Sequence, residues 1–230
     1  MSKTVLEQAY SRKLTGLLAA LSAAVLLAAC DSTPPAVTYG ASAPTGAKLN
    51  LPVPNPGVLD TAKWPNSCDL LTDAEVGAIL PQASNITHKP AKVSFYTAPG
   101  VSPNGKLTYT APPADVPAGE CNLWFHLPEK WDGQNSNIDI VMRAIADPAS
   151  ITAFYQKERT ADRTATDLGP VGGATTCYLT TLNAMHCAYG HYYFELSGRS
   201  TPVDGSTTGN PIWREKVLSQ VIHTLTYKMS

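Results

Sequence analysis

The positions of the five cysteines constrain the fold of this chain more than any other feature of its sequence. Cys30 directly follows an apolar N-terminal stretch, whereas Cys68, Cys121, Cys177 and Cys187 are spread through the remainder of the chain. Thiols stay reduced in the cytosol but form disulfides in exported proteins. The destination that the N-terminus specifies therefore decides whether the four later cysteines cross-link the fold.

The first 29 residues have the composition of an export signal. Lys3, Arg12 and Lys13 precede an apolar run at residues 14–27 that ends in small residues. The run is marginal as a membrane span, which needs about 17 apolar residues, and no stop-transfer charges follow it. We therefore expect residues 1–29 to be a signal peptide that is removed.

The end of this segment carries the most specific motif of the chain. Residues 27–30, Leu-Ala-Ala-Cys, resemble the bacterial lipobox, whose cysteine receives a lipid and becomes the new N-terminus. The resemblance implies cleavage before Cys30 and a lipid anchor in the membrane. Two or more acyl chains, at about 0.8 kcal/mol per buried methylene, hold such an anchor stably. We expect the protein on the extracytoplasmic face of the cell membrane.

Export leaves an even number of cysteines beyond Cys30, and two disulfides follow as the default. Four cysteines allow three connectivities. Cys121 lies on the apolar face of a predicted strand, toward the core where the helix after Cys68 would pack. Cys177 and Cys187 lie on facing arms of a predicted hairpin. These positions favour Cys68–Cys121 and Cys177–Cys187.

The charge of the mature chain argues against nucleic acid as a partner. After residue 29 there remain 14 basic and 17 acidic residues, with no run of like charge. Nucleic-acid-binding domains concentrate Lys and Arg on one face, and membrane-binding segments cluster them. The expected contact with the membrane is therefore the lipid anchor alone.

Residues 30–62 differ in composition from the chain that follows. They are rich in Pro, Ser, Thr and Ala and show little hydrophobic periodicity. This pattern predicts a lipidated cysteine followed by an extended tether that lifts the domain up to several tens of ångströms from the membrane. Residues 63–230 are predicted to form a single extracytoplasmic domain.

Local signals place the first helix and the strands after it. Thr72 and Glu75 have the spacing of a capping box, which predicts a short helix from Thr72. Residues 93–97 and 106–110 are β-prone arms of a hairpin around Pro-Asn-Gly, and residues 121–126 and 138–145 alternate as strands.

The second half of the chain shows a similar succession. Asp147 followed by Pro148 predicts a helix N-terminus, with the helix running to about Arg163. Residues 175–180 and 185–189 are predicted hairpin arms, and residues 191–196 form a further strand. An apolar stripe predicts a closing helix whose core-facing residues are Val217, Leu218, Val221, Ile222 and Leu225.

This order of elements predicts an α+β fold. Runs of antiparallel strands punctuated by helices indicate a twisted antiparallel sheet with helices packed on one face and a C-terminal helix closing the domain. The succession of a helix and about three strands occurs twice, which suggests a degenerate duplication.

Several segments resemble a family of actinobacterial envelope lipoproteins that is itself a domain of unknown function. The resemblance is carried by residues 67–75, by Cys121-Asn-Leu-Trp124 and by residues 168–174, and it covers the chain from about Trp64 to Tyr227. It extends distantly to the extracellular sensor domains of some actinobacterial kinases, which are α+β and disulfide-bonded. The resemblance implies a sensing or binding role and provides no catalytic residues.

The sequence contains no recognisable catalytic motif and no metal-binding spacing. The chain contains no Gly-x-Ser-x-Gly, Ser-x-x-Lys or His-Glu-x-x-His motif. The ligand types at Cys177, His186, Cys187 and His191 do not have a zinc spacing, and export favours disulfides. The Gly-rich residues 169–173 precede a strand, which indicates a turn instead of a phosphate loop. We expect no metal and no cofactor.

The sheet face opposite the helices is the candidate binding surface. If the registers agree, alternation directs polar and aromatic side chains of three strands to this face. A concave surface of this kind binds a small molecule, a glycan or a peptide. The candidate ligand-face residues are Trp124, His126, Asp139, Arg143, His191, Tyr193 and Glu195.

Two function classes follow from these observations. The leading hypothesis is a non-enzymatic envelope module that binds a ligand or a partner protein, because a lipid anchor and a disulfide-bonded domain occur without a catalytic constellation. The alternative is an envelope hydrolase or transferase in which His126 or His191 acts as base with Asp139 or Glu195 as its partner.

Overall fold

The strands of the domain form an antiparallel sheet. The computed structural model of the protein describes residues 35–95, 98–101, 107–110, 114–130, 133–204 and 211–230. The strands are β1 (Ser84–Phe95), β2 (Ala98–Val101), β3 (Leu107–Thr110), β4 (Ala114–His126), β5 (Ser136–Ile145), β6 (Thr166–Gly169), β7 (Thr176–Leu179), β8 (Met185–Tyr189) and β9 (Tyr192–Ser200). Within the described chain, a seven-stranded sheet has the order β1-β4-β5-β9-β8-β7-β6, and β2 pairs with β3.

The helices are α1 (Asp73–Ile79), α2 (Pro148–Ala161), α3 (Thr201–Asp204), α4 (Pro211–Trp213) and α5 (Ser219–Met229). A π-helical turn at Arg214–Leu218 joins α4 to α5, and residues 211–229 are referred to below as the C-terminal helix. The predicted α+β class, with an antiparallel sheet and a C-terminal helix, is confirmed.

Both predicted helix N-terminal signals are confirmed. The backbone N–H of Glu75 donates to the Thr72 hydroxyl, and the backbone N–H of Thr72 donates to the Glu75 carboxylate, which completes the capping box of α1. The Asp147 carboxylate accepts from the first backbone N–H groups of α2, and Pro148 occupies its first position. Helix α2 ends at Ala161, just before the predicted end at Arg163.

The main hydrophobic core lies on one face of the sheet. Alternate residues of the central strands, among them Leu123, Ile140 and Phe194, point to this face and are fully buried. Helix α1 and the C-terminal helix cover them, with Val76 and Val221 among the buried contacts. This face is the one that the sequence predicted to be covered by helices.

A second, smaller core corrects the prediction that all helices pack on one face. Helix α2 covers part of the opposite face, where Phe154 and Tyr155 pack against Ala144, Tyr178 and Tyr193. Periodicity shows that a helix is amphipathic but not which side of the sheet it covers. The suggested degenerate duplication of a helix and three strands stays a prediction.

The predicted tether is in part a packed segment of the domain, which corrects the boundary of residues 30–62. Val37, Tyr39, Leu49, Leu51 and Val53 pack against the main core, and exposure alternates along the segment as in an extended strand. Prolines and small residues interrupt this alternation in the sequence, so hydrophobic periodicity did not predict it. We call residues 36–59 the strap.

Backbone hydrogen bonds hold the strap in place. Gly40 donates to the carbonyl of Ile79, and Leu49 donates to the carbonyl of Lys228. A Cβ atom at Gly40 would lie only 2.0 Å from the carbonyl oxygen of Ala78, so a glycine is required at this approach. The strap is not a strand of the sheet, and its backbone hydrogen bonds connect α1 to the C-terminal helix.

The predicted disulfides are confirmed. Cys68 bonds to Cys121 and ties the turn before α1 to β4. Cys177 bonds to Cys187, and these residues are direct partners across the β7–β8 hairpin. Both bonds lie against the main core, with Cys121, Cys177 and Cys187 completely buried.

The hairpin before β4 is confirmed with a shift of its first arm. Strand β2 pairs with β3 over Ala98–Val101, beyond the predicted arm at residues 93–97. Val93 instead extends β1, where it pairs with Val116 and is buried. The predicted Pro-Asn-Gly turn lies outside the described residues.

The N-terminal predictions lie outside the described residues. These are the signal peptide, the lipobox and the lipidation site Cys30. The domain described here is the compact unit Ala36–Ser230. Among the described residues, no helix has the length and apolar character needed to cross a membrane.

A buried ion pair links the strap, α1 and the C-terminal helix. Lys228 Nζ lies 2.6 Å from Glu75 Oε2, and the two side chains are 3% and 0% exposed. Lys228 also donates to the Leu70 carbonyl, and the Glu75 carboxylate accepts from the backbone N–H of Thr45. Burial alone would raise the pKa of Glu75, but the hydrogen bonds from Lys228, Thr72 and Thr45 outweigh it and lower this pKa.

Removing one partner of this pair is expected to destabilise the domain strongly. In the variant Lys228→Met, the carboxylate of Glu75 stays buried without its counter-ion, at a cost of about 3–5 kcal/mol. Urea unfolding of the variant measures this cost. The exposed pair of Lys92 and Asp115 provides the control, because Lys92→Met should change stability by less than about 0.5 kcal/mol. Equal effects of the two substitutions would contradict the assigned role of the buried pair.

Candidate functional site

The structure divides the predicted ligand face into a covered end and an open end. Alternation along β4, β5 and β9 does direct Trp124, Asp139 and Glu195 away from the main core, as predicted. Helix α2 covers the end of this face that contains Tyr193. The open end is formed by the start of β5, the end of β9 and the adjoining part of β4.

Tyr193 does not belong to an accessible surface, which corrects its place in the predicted ligand face. Its side chain is only 2% exposed beneath α2. Its hydroxyl lies 3.0 Å from the hydroxyl of Tyr178 and 2.9 Å from Nδ1 of His186. Tyr193 is therefore a polar member of the second core.

The two predicted histidines lie at opposite ends of β5. His126 Nδ1 lies 2.6 Å from the carbonyl oxygen of Gly133, just before the strand begins. His191 Nδ1 lies 2.9 Å from the carbonyl oxygen of Ala146, just after the strand ends. At about 3.3 Å per residue, the length of β5 separates them. Among the described residues, neither imidazole hydrogen-bonds to a carboxylate.

Arg143 and Glu195 form a contact between the covered and open ends of the face. Arg143 Nη1 lies 3.6 Å from Glu195 Oε2, and both side chains are partly buried. Burial raises the pKa of Glu195 above its ordinary value, and Arg143 offsets only part of this effect. The contact orients the two side chains toward each other.

A groove of about 330 Å³ occupies the open end of the face. Pockets for small ligands begin at about this size. Two predicted residues, Trp124 and Asp139, line the groove. Its other lining residues are Asn122, Asn137, Leu182, Asn183, Ser197, Gly198 and Arg199.

A chain of hydrogen bonds fixes the floor of the groove. The backbone N–H of Arg199 donates to Asn137 Oδ1, and the amide of Asn137 donates to Asp139 Oδ2 at 2.7 Å. The Ser197 hydroxyl also donates to Asp139 Oδ2, at 3.3 Å. Asn137 is 6% exposed, so packing as well as hydrogen bonding holds its orientation. The polar floor is preorganised.

Asp139 is the least satisfied polar group of this floor. Its second oxygen, Oδ1, is buried and has no hydrogen-bond partner among the described residues. Burial raises the pKa of Asp139, and nearby Glu120 adds to the rise, while hydrogen bonds from Asn137 and Ser197 offset part of it. A partly desolvated carboxylate in a concave site is a feature of functional positions.

The rim of the groove depends on the β7–β8 turn. Leu182 at its tip is 87% exposed, and Asn183 adopts a positive φ of 62°. The Cys177–Cys187 disulfide joins the two arms that carry this turn. Leu182 therefore presents an apolar side chain to solvent at the edge of a polar groove.

Gly198 is required by the close approach of β9 to β5. A Cβ atom at this position would lie 2.4 Å from the carbonyl oxygen of Asn137, and the residue has a φ of 149°. Any larger residue would displace the floor of the groove.

Some lining residues could have been predicted and others could not. Asn122, Asn137 and Ser197 lie two residues from Trp124, Asp139 and Glu195 on the same strands, so alternation already directs them to this face. They were missed because amides and hydroxyls are common on solvated sheet faces. Leu182 and Asn183 line the groove only because a turn folds beside β9, and no sequence signal indicates that contact.

A buried cluster of aromatic side chains lies beneath α2, beside the groove. The rings of Tyr178 and His186 stack at 4.8 Å, and Tyr155 packs edge-on against Tyr178. Burial lowers the pKa of His186 to about 4, and Arg143 contributes in the same direction. His186 is therefore neutral near pH 7, and its 3.7 Å contact with Glu195 is not an ion pair there.

The cysteines that lie near histidines in the structure are all bonded in disulfides. A ring nitrogen of His88 lies within 4.8 Å of the sulfurs of Cys68 and Cys121, but these sulfurs form a disulfide. Cys177 and Cys187 are likewise bonded to each other, and His186 points to the opposite face of β8. Sulfurs in disulfides do not provide the thiolates that bind zinc.

The variant Asp139→Asn is expected to reveal how much stability the buried charge of Asp139 costs. The raised pKa means that the folded state favours the neutral form, so the stabilising contribution of Asp139 is present at low pH and lost as pH rises through its folded pKa. The variant should therefore be more stable than the parent at pH 8, with the gain vanishing near pH 3. Urea unfolding at both pH values measures the difference. A gain that does not change with pH would contradict this account.

His186 is expected to make the fold sensitive to acid. Because its folded pKa of about 4 lies below the ordinary value of 6.5, its contribution is complete above pH 6.5 and is lost as pH falls toward 4. The loss should approach about 2–3 kcal/mol. His186→Asn keeps an acceptor for Tyr193 without titrating, so its stability should vary less over this range. Parallel stability curves for the two proteins would contradict the prediction.

Comparison with known proteins provides no assignment for this geometry. No protein-family model, curated protein or solved structure matches the chain. The resemblance of its motifs to envelope lipoproteins therefore stays a prediction, and any functional interpretation depends on the chemistry of the groove.

Proposed function

We propose that this protein is a membrane-anchored extracytoplasmic lipoprotein that binds a small ligand of the cell envelope in the groove on its open sheet face, without catalysing a reaction. The observation that carries the proposal is the floor of the groove, where Asn137 and Ser197 hold a partly buried carboxylate at Asp139. A sensor-like module or a module that presents its ligand to a partner protein would use the same site.

The composition of the groove favours binding over catalysis. Its polar side chains are amides, one hydroxyl, one carboxylate and one guanidinium, and no histidine, lysine or cysteine of the described part of the chain lines it. Ser197 and Asp139 are the hydroxyl and the carboxylate of this lining, but their oxygens lie 3.3 Å apart, just beyond the usual reach of a general base. Together with the amides, these groups are suited to orienting a ligand.

The energetics of the floor also support a binding role. A fold selected for stability alone would place a neutral or fully hydrogen-bonded group at position 139. The carboxylate instead has one buried oxygen without a donor. Retention of such a group is explained when its charge orients the neighbouring amides of the floor toward a ligand.

The strap shortens the segment between the proposed anchor and the domain. Val37 is already packed on the domain. The seven residues from Cys30 to Val37 span at most about 25 Å in any conformation. A lipid on Cys30 would therefore keep the domain nearer to the membrane than a free tether of residues 30–62 would.

A native mass spectrum of the protein extracted from its own membranes tests the proposal. The expected mass is that of residues 30–230 plus lipid, with four hydrogens gained when the two disulfides are reduced. An additional non-covalent mass is expected on the parent protein and not on Asp139→Ala. The matched control is Asp69→Ala, a carboxylate outside the groove, which should retain the added mass.

Three results would contradict the proposal. An uncleaved chain, or a chain without lipid that appears in the soluble fraction, would remove the anchor. An added mass that survives Asp139→Ala would place the ligand elsewhere. Turnover of the bound molecule, detected as a product mass that requires Asp139, would replace binding with catalysis.

A further inference from the structure

We infer that the groove binds a saccharide: a neutral sugar with one apolar ring face and several hydroxyl groups. This inference rests on the proposed function, because it assigns a ligand class to the same site. It follows from the charge balance of the groove, the mixture of donors and acceptors on its floor, and the apolar groups at its edge.

The charges around the groove disfavour ions of either sign. Asp139 and Arg199 both line the groove, and their opposite charges partly cancel. An anionic ligand would also face Glu120, whose charge is close enough to act on Asp139. A cationic ligand that approached the Trp124 ring would meet the ammonium of Lys89, already 6.0 Å from the ring centroid. A neutral ligand avoids both penalties.

The polar floor offers donors and acceptors side by side. Asn137 uses its Oδ1 and Nδ2 within the network, and Asn122 and Asn183 add two further side-chain amides to the lining. The amide of Asn122 donates to Glu120, so its carbonyl oxygen keeps acceptor capacity. Each sugar hydroxyl both donates and accepts, and therefore matches a surface of amides and a carboxylate better than a purely accepting or donating group does.

Two apolar groups accompany this polar floor. Trp124 lines the groove from β4, and Leu182 lines it from the β7–β8 turn. The C–H groups of a sugar ring form an apolar face that packs on an aromatic ring, while the hydroxyls at its edge remain free for hydrogen bonds. A groove with an indole, an aliphatic side chain and a polar floor presents both features together.

An extended peptide fits this site less well. Peptides that add to a sheet need an edge strand with unpaired backbone groups. The groove instead lies over β4, β5 and β9, each of which has hydrogen-bonded neighbours on both sides. The edge strands of this sheet are β1 and β6, away from the groove.

Titration calorimetry of the full mature chain, in a detergent without a sugar headgroup, tests the inference. The probes are the trimer of N-acetylglucosamine, maltotriose, trialanine and decanoate, each up to about 5 mM. At least one saccharide is expected to bind, and Trp124→Ala should weaken it about tenfold or more. Trp124→Phe should retain part of the affinity because the aromatic face remains. The control Tyr227→Ala removes an exposed aromatic ring outside the groove and should leave binding unchanged.

The outcomes separate this inference from the proposed function. Binding of trialanine or decanoate that depends on Trp124, without saccharide binding, would overturn the saccharide assignment and keep the groove as a ligand site. Saccharide binding that is insensitive to Trp124→Ala would overturn the assigned location. If no probe binds and the protein from its own membranes has no added mass, both the inference and the proposed function are wrong.

Discussion

The buried ion pair between Glu75 and Lys228 is the interaction on which the arrangement of this domain depends. It joins the first helix to the last, across 153 residues of sequence, and the same carboxylate holds the strap through backbone N–H groups at Thr45 and Gly46. A charge without its partner would be costly at such a buried site. The ion pair therefore favours the one arrangement of the strap, α1 and the C-terminal helix in which both charges are paired. These three segments together cover the main core on one face of the sheet.

The candidate site exists because the other face of the sheet is only partly closed. Helix α2 covers one end with Phe154 and Tyr155 and leaves the other end to solvent. The β7–β8 turn then provides a wall, and the Cys177–Cys187 disulfide holds the arms of that hairpin together. The groove is thus built from rigid strands and a cross-linked hairpin, which suits a site whose ligand must find preformed hydrogen-bond partners.

Polar groups on the second face occur in two different settings. Under α2, Tyr178, His186 and Tyr193 satisfy one another and rigidify a small core. In the groove, Asp139 keeps a buried oxygen that receives no hydrogen bond from the part of the chain that the structure describes. The first arrangement stabilises the fold at neutral pH, whereas the second costs stability there. Proteins retain a destabilising group of this kind where the group is functional. For this reason the buried carboxylate of Asp139 is a stronger indication of a binding site than the shape of the groove is.

Local signals in the sequence determined the α+β class, the helix starts at Thr72 and Asp147, the β7–β8 hairpin and, with export as a premise, both disulfides. These features depend on residues close in sequence or on simple alternation. Only the tertiary structure decided that α2 covers the opposite face, that residues 36–59 form a strap, and that Tyr193 is buried while Trp124 and Asp139 remain at a groove. Periodicity states which side chains share a face, but burial depends on what packs there. That choice is made by long-range contacts such as Glu75 with Lys228, which no local pattern specifies.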